Sequence, residues 1–119
     1  MAERINQRFG RPGYQPVQLL ASHHERDAVN ELFRAADICV VTSLHDDMNL
    51  VCKEFVAARD DLAGVLVLSR FAGAARELSE ALIVNPYHVE ETADALHRAA
   101  SMPAAEQRER MLSLRSTVR

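Results

Sequence analysis

No apolar run in this sequence is longer than a strand, so nothing in it reads as a membrane span. The opening residues are polar, carry Arg4 and Arg8 and hold no apolar h-region. No signal peptide is therefore expected, and the cytoplasm is the expected compartment. Cysteine is scarce. The two present, Cys39 and Cys52, fall inside an expected strand and helix, without metal-ligand spacing, and read as buried reduced thiols. Neither sign of charge is gathered into a block. Fourteen basic and 17 acidic residues give −3, spread along the chain, which excludes a basic nucleic-acid face and an acidic solvating tail. There is no internal repeat and no low-complexity tract. The 119 residues suffice for one domain with a core and are too few for two.

What is present is organised around Val40 to Glu54. An apolar, β-branched run from Ile38 to Val41 reads as a buried parallel strand. A short polar loop follows, then a helix with Met48, Val51, Cys52 and Phe55 on one face. A strand feeding straight into a helix leaves the first helical amides facing the crevice above the sheet. Together with the helix dipole they make an anion site. Glu54, further into that helix, is placed to accept two sugar hydroxyls. The implied chemistry is phosphate or nucleotide-sugar binding.

Taken in order, residues 1–15 read as a loop with a turn at Arg11–Gly13, and Pro16–Leu20 as a short strand. A helix is expected from about Glu25 to Ala36, with Val29, Leu32, Phe33 and Ala36 as its stripe. The central strand is Ile38–Thr42. After a turn over Asp60–Gly64, Gly64–Leu68 is the next strand and Ala74–Glu80 a short helix. Ala81–Val84 is a fourth strand, stopped by Asn85–Pro86. Val89, Ala93, Leu96, His97 and Ala100 mark one face of a further helix. Pro103 suits the first position of a last helix over 103–119, whose thin apolar face reads as a surface element wanting a partner. Apolar strands alternating with helices over 16–100 predict an α/β fold, a Rossmann-like parallel sheet with flanking helices. Ligands on such sheets bind beyond the carboxyl ends of the strands, which selects loops 43–49, 69–73 and 85–88.

Other candidates yield less. Within His45–Asp46–Asp47 neighbouring side chains diverge and no further ligand is evident, so no metal site is assigned. His23 and His24 read as polar residues where a helix begins, and His97 as a hydrogen-bonded rim histidine. Lys53 and Arg70 could serve a phosphate, but a surface ion pair is the expected role of each.

Asp46–Asp47–Met48–Asn49–Leu50–Val51–Cys52–Lys53–Glu54–Phe55–Val56–Ala57–Ala58–Arg59 resembles the D-G-M-N-L-V-A-K-E-(F/Y)-V-A-A stretch of trehalose-6-phosphate synthases, retaining GT-B glycosyltransferases of family 20. Gly64–Ser69, Phe71–Ala75, Val84–Tyr87, Ile5–Asn6, Arg8–Gly10 and Phe33–Asp37 fit the same pattern in order, so the resemblance covers nearly the whole chain. It implies two Rossmann-like lobes in the complete enzyme and glucose transfer from a nucleotide sugar such as UDP-glucose to glucose 6-phosphate, without a metal or other cofactor. It places the site at Asp46, Met48, Asn49, Leu50, Val51, Cys52, Lys53 and Glu54. Amides of Asn49 to Val51 would face the diphosphate, Glu54 the ribose, and Asp46 and Met48 the glucose. The acceptor lobe and the Arg and Lys that grip phosphate in the family have no counterpart here. The resemblance therefore implies the C-terminal, donor-binding part of a synthase, with no catalytic residue of its own and inactive alone. Asp47 replaces the usual glycine, His45 an arginine, His24 an aromatic and Arg70 an acidic or amide residue. The alternative is a non-catalytic α/β module that binds a protein partner, such as the missing lobe or a full-length synthase.

Overall fold

A computed structural model of the chain describes residues 2–10, 12, 26–43 and 50–118. Its elements are α1 (Ala2–Phe9), α2 (Arg26–Ala35), β1 (Ile38–Val41), α3 (Leu50–Ala58), β2 (Val65–Ser69), a 3₁₀ turn (Gly73–Arg76), β3 (Leu82–Val84), α4 (Val89–Ser101) and α5 (Ala104–Val118). The expected strand at 16–20 lies outside the described residues, as do His23, His24 and most of the Arg11–Gly13 turn.

The sheet runs β1-β2-β3 and is parallel throughout. Ile38 to Val41 pair with Val65 to Leu68, and Val67 to Ser69 with Leu82 to Val84. All five residues of the central β2 are buried, because helices cover both of its faces. Leu66 and Leu68 point to one side, where they meet Cys52, Phe55 and Val56 of α3 and Met111 and Leu114 of α5. Val65 and Val67 point to the other, with Leu82, Val84, Ala99 and Met102. This alternation along one strand builds two cores from a single apolar run.

Five local expectations are corrected. Residues 1–15 are not all loop: Ala2–Phe9 is helical, since Glu3, Arg4, Gln7 and Arg8 favour helix and the breakers Gly10 and Pro12 come after it. The short helix expected over Ala74–Glu80 is instead the four-residue 3₁₀ turn. On α4 the buried side carries Ala99, with Thr92 and Ala95 half-buried, while Val89 is 78% exposed and Ala93, His97 and Ala100 are also exposed. The branched side chains of β2 and β3 already fill that face, so the helix approaches through its alanines rather than its larger apolar residues.

The last helix is also not a bare surface element. Met111 and Leu114 are buried on α3, and Arg115 Nη1 donates to the carbonyls of Val56 and Ala57, each at 3.0 Å. Those carbonyls close the last turn of α3, where a cation is favourable. Gln107 accepts from Gly64 N–H at 3.0 Å and donates to the Met102 carbonyl at 2.9 Å, tying α5 to both the start of β2 and the end of α4. Pro103 stands one position before its expected place. Its carbonyl accepts from Gln107 N–H at 3.1 Å, so it precedes the helix that Ala104 begins. Within α5, Arg110 hydrogen-bonds Glu106 at 2.9 Å and holds that carboxyl below its ordinary range, while Arg98 of α4 reaches the same carboxylate at 3.4 Å.

Candidate functional site

The carboxyl ends of the three strands are bound to one another by a few polar and aromatic contacts. Ser69, the last residue of β2, is fully buried. Its Oγ donates to the Ser43 carbonyl at 2.5 Å and accepts from the Phe71 N–H at 3.1 Å. Phe71 meets Tyr87 edge to face, with ring centroids 5.6 Å apart. Tyr87 N–H donates to Asn85 Oδ1 and Asn85 N–H to Glu91 Oε1, both at 3.0 Å, which carries the chain of contacts past the end of β3 into α4.

On α3 the buried and exposed faces separate cleanly. Cys52, Phe55 and Val56 are fully buried, whereas Leu50 and Val51 are 57% and 46% exposed. Cys52 thus has no side chain to offer a ligand. Glu54 is exposed and lines a groove of about 230 Å³ with Asn30 and Arg34 of α2 and Ala57 and Ala58 of α3. Lys53 forms the expected ion pair, its Nζ 3.1 Å from Glu77 Oε2. Arg70 differs: its guanidinium lies 5.5 Å from the centroid of the Phe71 ring, and no described carboxylate pairs with it. His45, Asp46, Asp47, Met48 and Asn49 lie outside the described residues, so of the eight predicted site residues the structure places Leu50 to Glu54.

Sequence reasoning missed two residues that hold this site together. Ser69 is one, since a serine after four apolar residues reads as the start of a loop. Arg59 is the other. It is 5% exposed, and its Nη1 donates to the carbonyls of Phe33, Arg34 and Ala36 at 3.0, 2.6 and 2.7 Å. Its Nε is 3.1 Å from both Asp61 Oδ1 and the Ala63 carbonyl. This side chain caps the end of α2 from the end of α3 and so fixes the groove that Glu54 lines. In sequence, Arg59 merely precedes the turn expected over Asp60–Gly64, which gives no sign of its burial. Cys39 remains a thiol, burial pushing it up to about 11 with the neighbouring Cys52 adding to the effect, so it offers no nucleophile near neutral pH.

Among the described residues two grooves are larger, and one of about 420 Å³ runs along β3 from Leu82 to Val84 toward Glu91 of α4. The other, of about 790 Å³, is lined by Glu80, Arg98, Glu106 and Arg110, whose charges are largely spent on one another and on a backbone carbonyl. Among the described residues no three His, Cys, Asp or Glu side chains converge on a metal position, and no helix is long and apolar enough to cross a membrane.

A parallel sheet with helices on both faces and its exposed polar groups at the strand carboxyl ends has the architecture of part of a GT-B glycosyltransferase. The chain belongs to glycosyltransferase family 20, whose family model matches residues 1–119. A trehalose-6-phosphate synthase of Klebsiella pneumoniae subsp. pneumoniae is 52% identical over 119 residues, 99% of this chain and 25% of the relative. The crystal structure of an α,α-trehalose-phosphate synthase (UDP-forming) from Burkholderia vietnamiensis superposes with a TM-score of 0.93 at 47% identity, over 98% of this chain and 26% of that one. A Burkholderia xenovorans synthase in complex with glucose-6-phosphate gives a TM-score of 0.89 at 47% identity, over 98% and 27%. The chain therefore spans about a quarter of the length of the curated relatives it matches.

Proposed function

We propose that this chain is the donor-binding part of an α,α-trehalose-phosphate synthase and acts in the cytoplasm. In the complete reaction, the bond between the anomeric carbon of UDP-glucose and its phosphate oxygen breaks, the electron pair leaving with UDP. A bond to a hydroxyl oxygen of glucose 6-phosphate replaces it with retained configuration, and that hydroxyl loses its proton. Amides of Asn49, Leu50 and Val51 face the diphosphate, with Cys52 contributing backbone only. Glu54 accepts the ribose hydroxyls, Asp46 and Met48 face the glucose, and Lys53 lies on the rim, neutralised by Glu77.

The observation that carries this reading is the division of α3. Its apolar face is sealed in the core, while Leu50, Val51 and Glu54 stand open, Glu54 along the groove beside α2. Transfer requires donor and acceptor held in contact, and the residues named here serve the donor alone. Calorimetric titration tests this. Saturable binding of UDP-glucose with no response to glucose 6-phosphate is expected, and no saturable response to UDP-glucose at millimolar concentration would refute it.

A further inference from the structure

We infer that Ser69 is the positioning residue of this site: its buried hydroxyl holds the backbone at the end of β1 against the backbone at the end of β2. The inference rests on the nucleotide-sugar reading above for its functional consequence. The paired residues of β1 and β2 end at Val41 and Leu68. One step beyond, the Ser69 side chain takes over as a tie, donating to the Ser43 carbonyl at 2.5 Å while receiving the Phe71 N–H at 3.1 Å.

A fully buried hydroxyl is costly unless both its donor and its acceptor are used, and here both are, on segments 26 residues apart in one case and two in the other. Neither partner is in the apolar core. Ser43 is the last described residue before α3, and Phe71 carries the ring that meets Tyr87 and Arg70. The hydroxyl therefore fixes the separation of two of the three strand ends, and through Phe71 it orients the third. Displacements of about 1 Å in a binding constellation are enough to cost an order of magnitude or more.

The test compares Ser69→Ala with Val67→Ala in the full 119-residue chain. Val67 is fully buried two residues earlier on the same strand, and its apolar side chain takes no part in the strand-end hydrogen bonds, so its truncation loosens the core without removing those ties. Melting, UDP-glucose titration and amide hydrogen exchange are measured for both, with Ser69→Thr as the hydroxyl-restoring variant. Ser69→Ala is expected to weaken UDP-glucose about tenfold and to speed exchange at Phe71, whose N–H loses its acceptor, with Leu66 to Leu68 unchanged. Val67→Ala should lower the melting temperature yet leave affinity and the Phe71 amide as in the parent, and Ser69→Thr should recover at least part of the loss. Parent-like affinity in Ser69→Ala, or an equal loss in Val67→Ala, would overturn the proposal. If the parent itself does not bind UDP-glucose, the functional reading falls, and the exchange data alone decide whether Ser69 holds the strand ends.

Discussion

Arg59 reaches back 23 residues to donate a 2.7 Å hydrogen bond to the carbonyl of Ala36, just past the end of α2. Two more carbonyls, of Phe33 and Arg34, share the same nitrogen. A delocalised fork of donors suits a cluster of C-terminal carbonyls better than any other side chain. Arg59→Ala would leave these acceptors with no donor in a place water reaches poorly, so a loss of about 2–4 kcal/mol is expected. Arg59→Lys keeps the charge but not the fork and should cost about half as much. Urea unfolding of the three proteins checks both values; an alanine variant within about 0.5 kcal/mol of the parent would contradict the capping role.

Gly64 opens β2 at φ +92°, a backbone region that L side chains rarely adopt. A Cβ there would stand 3.1 Å from Phe55 Cζ and 3.3 Å from the Arg59 guanidinium carbon. Both neighbours are buried and held in place, so neither yields cheaply. Gly64→Ala should cost about 2–3 kcal/mol from dihedral strain and crowding together. Thermal melting reads this directly, and an unchanged Tm would mean that Arg59 is free to move aside.

His88 caps α4 through its ring, Nδ1 accepting from the Glu91 N–H at 3.0 Å. Histidine is an unusual cap, and a carboxylate would do the same work while also favouring the positive end of the helix dipole. His88→Asp should therefore stabilise by about 0.5–1 kcal/mol, and His88→Ala should destabilise by about 1 kcal/mol. A Tm that falls in the Asp variant would count against the cap.

The parallel sheet was legible because Ile38–Val41, Val65–Leu68 and Leu82–Val84 are apolar runs with no competing helical period. The buried face of α4 was not, because Val89 and Leu96 outrank Ala95 and Ala99 in hydrophobicity while only the alanines fit against a branched sheet surface. The proposed site could be read only as a motif from Asp46 to Glu54, of which the structure describes Leu50 to Glu54, and the residues that brace this region could not be read. Arg59 and Ser69 act through backbone partners distant in sequence, and a polar residue beside a turn gives no sign that it will be buried.

Cys39 makes a pH prediction. Burial raises its pKa from an ordinary 9.0 to about 11, with Cys52 adding to the rise. The folded state thus keeps a proton that the unfolded chain releases earlier. The resulting stability, at most about 2–3 kcal/mol, is fully present below pH 9 and is lost as pH rises through 11. Alkylation of Cys39 by iodoacetamide at neutral pH should run about a hundredfold slower than for an unstructured thiol, since only the thiolate reacts. Mass spectrometry over time, with the protein native and then in denaturant, measures the ratio; equal rates would mean that the thiol is not shielded.

The central claim is that α3 holds a nucleotide sugar, with Glu54 as its ribose ligand. The direct measurement is a side-by-side UDP-glucose titration of the parent and Glu54→Gln. Glu54 is exposed, so the change should leave the fold intact. Charge-assisted hydrogen bonds to a diol contribute on the order of 1.5–3 kcal/mol each at best, and less where water competes. The account predicts weak, saturable binding by the parent and a roughly tenfold loss in Glu54→Gln. Equal affinity in the two proteins, or no saturation by the parent, would contradict it.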